Sequence, residues 1–155
     1  MTNCSSQVRR LQKTRWILPL WFLFLTILAY GLMTPALGFY FDDWPVIYMI
    51  QSGGNFWDFY QFDRPFSAWT YVLTAPLLGT RPFFWHTFTL LLRWLTTLLL
   101  WWVLRLIWPK KEKEATWIVM LFTVHPVFLQ QSMAVAYSKH FLTYALFCIS
   151  VVISI

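Results

Sequence analysis

Apolar and polar positions in this chain fall into long blocks, with few short alternations. Trp16 to Leu37 is apolar and uncharged over about the 20 residues that a bilayer crossing needs. A polar stretch precedes it and ends in a basic cluster: Arg9, Arg10, Lys13 and Arg15. A basic flank before an apolar run also describes a signal peptide, and Ala36-Leu37-Gly38 offers a small-residue cleavage site. The run exceeds the roughly 7–15 residues of a usual signal core, which predicts an uncleaved anchor with its N-terminus inside. Residues 38–64 are mixed, within a first outer loop expected over 38–81. Val46 to Ile50 and Phe56 to Tyr60 are short aromatic-rich pieces separated by Gly53-Gly54, each too short to cross and suited to helices lying in the interface.

In the next piece, Pro65 to Gly79, Phe66, Trp69, Val72 and Leu73 fall near helical spacing. Its length predicts an interfacial or re-entrant helix. Were it to cross, the basic cluster after Trp108 would face outward, against the positive-inside tendency. Pro82 to Trp108 is then a second span, long enough to tilt, and Pro109 to Glu114 a short inner loop. Ala115 to about Val135 reads as a third span, Tyr137-Ser138-Lys139-His140 as a tight outer turn, and Phe141 to Ile155 as a short fourth span. The predicted fold class is all-α: a polytopic helical membrane protein of about four spans, with interfacial helices in the first outer loop. The last apolar run stops at Ile155 without a polar flank. From this, residues 1–155 are expected to form the N-terminal part of a larger membrane domain, or a truncated product.

Composition agrees with the blocks. The chain is 59% hydrophobic and only 12% charged, which excludes an ordinary soluble domain. Its net charge of +6 sits at the flanks of apolar runs, the pattern of topology signals and not of nucleic-acid binding. Cys4 and Cys148 are far apart, so neither a disulfide nor a metal motif is expected. No Gly-rich phosphate loop, nucleophile elbow or paired-histidine metal motif occurs in the sequence.

Scarcity of charge makes the remaining charges informative. All four aspartates, Asp42, Asp43, Asp58 and Asp63, lie in the first outer loop. The predicted topology gathers them on one face with Arg64, Arg81, His86, Lys139 and His140. Asp42 and Asp43 stand at the exit of the first span among bulky aromatics. A carboxylate there can handle a proton, a cation or a sugar hydroxyl, or the Asp-Asp-Trp-Pro sequence can simply close a helix with a polar turn. Carboxylates beside cations at one interface suit an anionic lipid-linked substrate, the cations on phosphate and the carboxylate on an acceptor hydroxyl. Arg93 lies inside the second span, where burial in lipid costs about 2.5–3.5 kcal/mol on insertion scales, so it should face protein, water or a lipid phosphate. His86, Thr89 and Arg93 share one helix face by their spacing. His125-Pro126 marks a kink in the third span.

Several of these pieces resemble membrane glycosyltransferases of superfamily C, in the protein O-mannosyltransferase-like branch. The matching residues are Phe41-Asp42-Asp43, Asp63-Arg64-Pro65-Phe66, Trp85-His86 with Thr89 and Arg93, and His125-Pro126 followed by Gln130-Gln131-Ser132 and Tyr137-Ser138-Lys139. The resemblance implies a multi-pass transferase using a polyprenyl-phosphate sugar donor and a protein or glycan acceptor, with inversion at the sugar. It places the general base on Asp42 or Asp43, Asp42 preferred, with its neighbour positioning it or holding a divalent cation. Arg64, His86, Arg93 and Lys139 would lie near the lipid phosphate or shape the cavity. With bacterial relatives in that branch, the expected location is the bacterial cell membrane, N-terminus cytoplasmic. Asp43 stands where the mannosyltransferases often carry Glu, and Thr89 and Arg93 where relatives often carry Asn and His. Those departures leave sugar and acceptor open. A fragment this short is expected to be inactive alone. The competing class is a non-catalytic membrane protein, a degenerate relative or scaffold, with a transporter fragment built on Arg93 as a third reading.

Overall fold

Backbone amides and carbonyls have no partners in hydrocarbon except one another, so long apolar blocks fold as helices. The computed structural model describes residues 17–126 and 133–155, all-helical and without a strand among them. The elements are α1 (Ile17–Ala36), α2 (Asp43–Ser52), α3 (Phe56–Tyr60), α4 (Ala68–Leu78), α5 (Pro82–Ile107), α6 (Glu112–Val124) and α7 (Ala134–Ser154). The basic cluster from Arg9 to Arg15, Trp16, Cys4 and Gln130-Gln131-Ser132 lie outside the described residues.

Three helices are long and apolar enough to cross a membrane: α1, α5 and α7. That is consistent with an integral membrane protein. The expected third span departs from its predicted form. α6 has 13 residues and ends at Val124, about 20 Å of helix. Its stop is proline chemistry: His125 precedes Pro126 and is extended, at φ −62° and ψ 129°. The predicted outer turn at Tyr137 to His140 is also corrected. Those four residues lie inside α7, which begins at Ala134 and runs for 21 residues instead of starting at Phe141. Lys139 and His140 looked like turn polarity, whereas they belong to one end of a helix that borders a polar cavity.

α5 is the axis of the packing. α7 runs parallel to it: the hydroxyl of Thr89 donates to the Ala134 carbonyl at 2.8 Å, and that of Thr96 to the Phe141 carbonyl at 3.0 Å. Further along, Leu99 and Val103 pack with Ala145 and Cys148. Small side chains and threonine hydroxyls allow this close helix contact in an apolar setting. α6 runs antiparallel to α5, with Trp101 bonded to Thr116 and Thr97 near Thr123. α1 is antiparallel as well. Phe22 meets Trp101 edge-on, and Gly31 lies where an added Cβ would sit 3.5 Å from Leu90. Near its end α1 widens into a π turn over Ile27–Gly31, which carries Tyr30.

The short helices α2, α3 and α4 gather at the Pro82 end of α5. Their 10, 5 and 11 residues are too few to cross. They share a buried cluster with α5 and α7 that includes Val46, Ile47, Phe56, Tyr71, Trp85 and Val135. Val46 and Ile47 are almost fully buried, each contributing about 1.5–3 kcal/mol relative to exposure. Gly53 terminates α2 in the left-handed region at φ 67°.

Candidate functional site

The chain leaves α1 with an extended backbone at Leu37 and turns sharply at Phe41. Phe41 takes a left-handed backbone, φ 39°, a conformation that strains a bulky residue by about 1–3 kcal/mol. The turn is closed by the amides of Asp43 and Trp44, which donate to the carbonyls of Tyr40 and Phe41 at 2.9 and 3.2 Å. Pro45 fits the first turn of α2, where no amide donor is required. This turn sends the two adjacent carboxylates to different places.

Asp43 points inward and is fully buried. Its Oδ1 accepts a hydrogen bond from the Ala136 amide at 2.9 Å, and its Oδ2 one from the Tyr40 amide at 3.4 Å. Ala136 lies in the first turn of α7, where amides have no helical partner and the helix dipole favours an anion. Asp43 thus caps a helix 93 residues away in sequence. Burial raises its pKa above the usual carboxylate range, while the Ala136 and Tyr40 amides, His86 and the Val135 amide pull the other way.

Asp42 is exposed and lines a cavity of about 790 Å³. Arg64 comes to the same cavity from the turn before α4, and Lys139 and His140 from the start of α7. Asp63 is also on the wall and pairs with Arg64 at 3.2 Å; both side chains are largely exposed, so the pair adds little stability. Tyr60 and Tyr71 form part of the lining as a parallel stack, centroids 5.4 Å apart at 13°. The Lys139 ammonium sits 5.6 Å from the Tyr60 ring centre and 6.0 Å from that of Tyr71, within cation–π range. Both tyrosines have raised pKa values, principally through burial, and stay protonated at neutral pH.

His86 and Arg93 lie behind this wall. His86 is fully buried, and its Nε2 donates to the Gly38 carbonyl at 2.9 Å, holding the segment that leaves α1. Arg93 is 2% exposed, with its guanidinium carbon 3.5 Å from the Tyr30 ring centre and 4.7 Å from that of Phe141. Tyr30 in turn donates its hydroxyl to the His125 carbonyl at 2.8 Å. The His86, Thr89 and Arg93 stripe therefore exists, and it faces neighbouring helices.

Of the six residues singled out from the sequence, the cavity brings together Asp42, Arg64 and Lys139; Asp43, His86 and Arg93 are absent from its lining. Asp58 accepts a local bond from Asn55 at 2.9 Å, and Arg81 occupies the N-cap position of α5 without a side-chain capping bond. Sequence reading missed Tyr60 and Tyr71. Tyr60 sits in an aromatic-rich piece that suggests only interfacial rings and Tyr71 in the expected interfacial or re-entrant helix, and nothing in their spacing shows that they stack. For a divalent cation the donor set is thin: the described residues contain no cluster of three or more His, Cys, Asp or Glu side chains fit to hold a metal. Asp43 directs both carboxylate oxygens to backbone amides.

The described residues form an all-helical protein with three helices long and apolar enough to cross a membrane and a charged cleft at one end of the α5–α7 pair. No protein-family model matches the chain, and no curated protein or solved structure matches it significantly.

Proposed function

We propose that this chain is the N-terminal portion of an integral-membrane glycosyltransferase. It would move a sugar from a polyprenyl-phosphate donor to a protein or glycan acceptor on the outer face of the membrane. The observation that carries the reading is the cavity where exposed Asp42 meets Arg64 and Lys139. In this reading Asp42 is the general base: it takes the proton of the acceptor hydroxyl as that oxygen attacks the sugar carbon, with inversion. A base in that role contributes about 10²–10⁴-fold to the rate. Arg64 and Lys139 hold the departing lipid phosphate, Arg64 through a planar fork and Lys139 as a point charge. Asp43 keeps the α7 wall in place. The orientation that goes with this reading is multi-pass, with the N-terminus in the cytoplasm of a bacterial cell.

The test is sugar transfer by the complete protein in membranes, with Asp42→Asn against the parent. Transfer should be lost while membrane abundance stays unchanged. Full activity in Asp42→Asn would end the proposal.

A second reading is a non-catalytic scaffold or transporter-like relative. What favours it is that Asp43, His86 and Arg93 all make tertiary contacts. It expects substitutions at these positions to change folded amount and nothing else.

A further inference from the structure

The opposite end of α5 carries a second cleft, of about 780 Å³, where the chain turns into α6. Its apolar wall comes from Leu18 at the start of α1, Pro109, and Trp117 and Met120 on α6. Its rim is charged. Arg105 is partly buried, lies 4.6 Å from the Trp101 ring centre and pairs with Glu112 at 3.4 Å. That pair is self-neutralised. Lys110 and Lys113 remain on the rim against Glu114, and Lys111 stands next to them in the loop; all four are exposed. This end of the molecule is therefore net positive.

Trp117 on the cleft wall is 67% exposed, and Trp108, at the C-cap of α5 next to Pro109, is 48% exposed. Exposed indoles at the ends of apolar helices sit at headgroup depth. The cleft thus combines ammonium groups on the water side with an apolar wall on the hydrocarbon side. A soluble anion would use only the first of these features; an amphiphile with an anionic head uses both. The rim cations also suit the negative surface of a lipid leaflet.

We propose that this cleft binds an anionic phospholipid, its phosphate on Lys110 and Lys113 and its first acyl methylenes along Trp117 and Leu18. The inference does not depend on glycosyl transfer at the other end of α5. Bound lipid would tie the α5–α6 turn to one leaflet and fasten α1 against α6 at their shared end.

The experiment is native mass spectrometry of the full chain released from detergent micelles, with phosphatidylglycerol or phosphatidylcholine added at equal amounts. Phosphatidylglycerol should be retained at least tenfold more. Lys110→Gln with Lys113→Gln should weaken that retention by roughly 30-fold, since each near-surface cation adds about fivefold. Glu114→Gln should strengthen it, a change of opposite sign that damage to the fold would not produce. Equal retention of the two lipids would overturn the proposal. So would an unchanged double-lysine variant, or displacement of the lipid by millimolar inorganic phosphate, which would mark a soluble-anion site.

Discussion

The cavity and the interior directly behind it hold almost the same chemistry. In the cavity are a carboxylate and two cations, Asp42, Arg64 and Lys139. Behind it are a carboxylate, an imidazole and a guanidinium: Asp43, His86 and Arg93. The first set is displayed to open space. The second is buried and committed: Asp43 to the Ala136 amide, His86 to the Gly38 carbonyl, Arg93 to two aromatic rings. Residue type does not separate a reactive set from a structural one. What separates them is burial. A buried polar group is held by the protein around it, because leaving one unsatisfied costs about 1–3 kcal/mol. An exposed group can take a ligand.

The sharpest way to break this comparison is to swap the two aspartates one at a time. Asp42→Asn should cut sugar transfer by about 10²–10⁴-fold and leave the unfolding midpoint in micelles where it was. Asp43→Ala should do the reverse in kind, lowering stability by about 1–3 kcal/mol as the Ala136 amide loses its buried acceptor. Asp43→Asn should lose less, since an amide oxygen can still accept from Ala136. If Asp42 proved the stability residue and Asp43 the activity residue, the division between cavity and interior would be reversed.

Asp43 also sets a pH signature. Its folded pKa is raised above the usual 3.8, with burial as the largest cause. The folded state therefore holds a proton that the unfolded state releases first. That contribution is fully present below pH 3.8 and is lost as pH rises through the folded pKa. Stability of the parent should fall relative to Asp43→Asn across that window. A parent curve parallel to that of the Asn variant would show that the Asp43 carboxyl is not perturbed by burial.

Much of this arrangement was legible in the sequence. The apolar blocks yielded α1 and α5 nearly to the residue, because a run of such length has one structural solution in lipid. The three-and-four spacing placed His86, Thr89 and Arg93 on one face. Two things were hidden. The start of α7 depends on Asp43 capping it from a distant loop, and no local pattern around Ala134 announces that. The separate fates of Asp42 and Asp43 depend on the left-handed turn at Phe41, a position where sequence alone favours ordinary backbone. Local signals set helices; long-range contacts and one strained dihedral set the site.

Arg93 tests the interior half of the comparison. Arg93→Met keeps most of the side-chain volume and removes the charge held against Tyr30 and Phe141. A desolvated cation–π contact is worth about 2 kcal/mol, and the thermal unfolding of the variant should reflect a loss of that size. Sugar transfer per folded molecule should be unchanged. A variant of full stability whose transfer collapses would move Arg93 out of the structural set and into the reactive one.

The smallest effect belongs to Asp63, the carboxylate that shares the cavity wall with Asp42 but already has a partner. Its contact with Arg64 is an exposed pair between adjacent residues, worth about 0–1 kcal/mol. Asp63→Asn should therefore leave thermal unfolding within that margin. Its effect on the cavity is electrostatic: the Arg64 guanidinium no longer shares its charge with a neighbour. Binding of an anionic lipid phosphate should tighten modestly, read as a lower KM for the donor at unchanged kcat. The gain should shrink as salt is raised, because exposed charges are screened over about 10 Å at 0.1 M. A raised KM would mean that Asp63 holds Arg64 in its working position, placing this exposed pair with the committed groups of the interior.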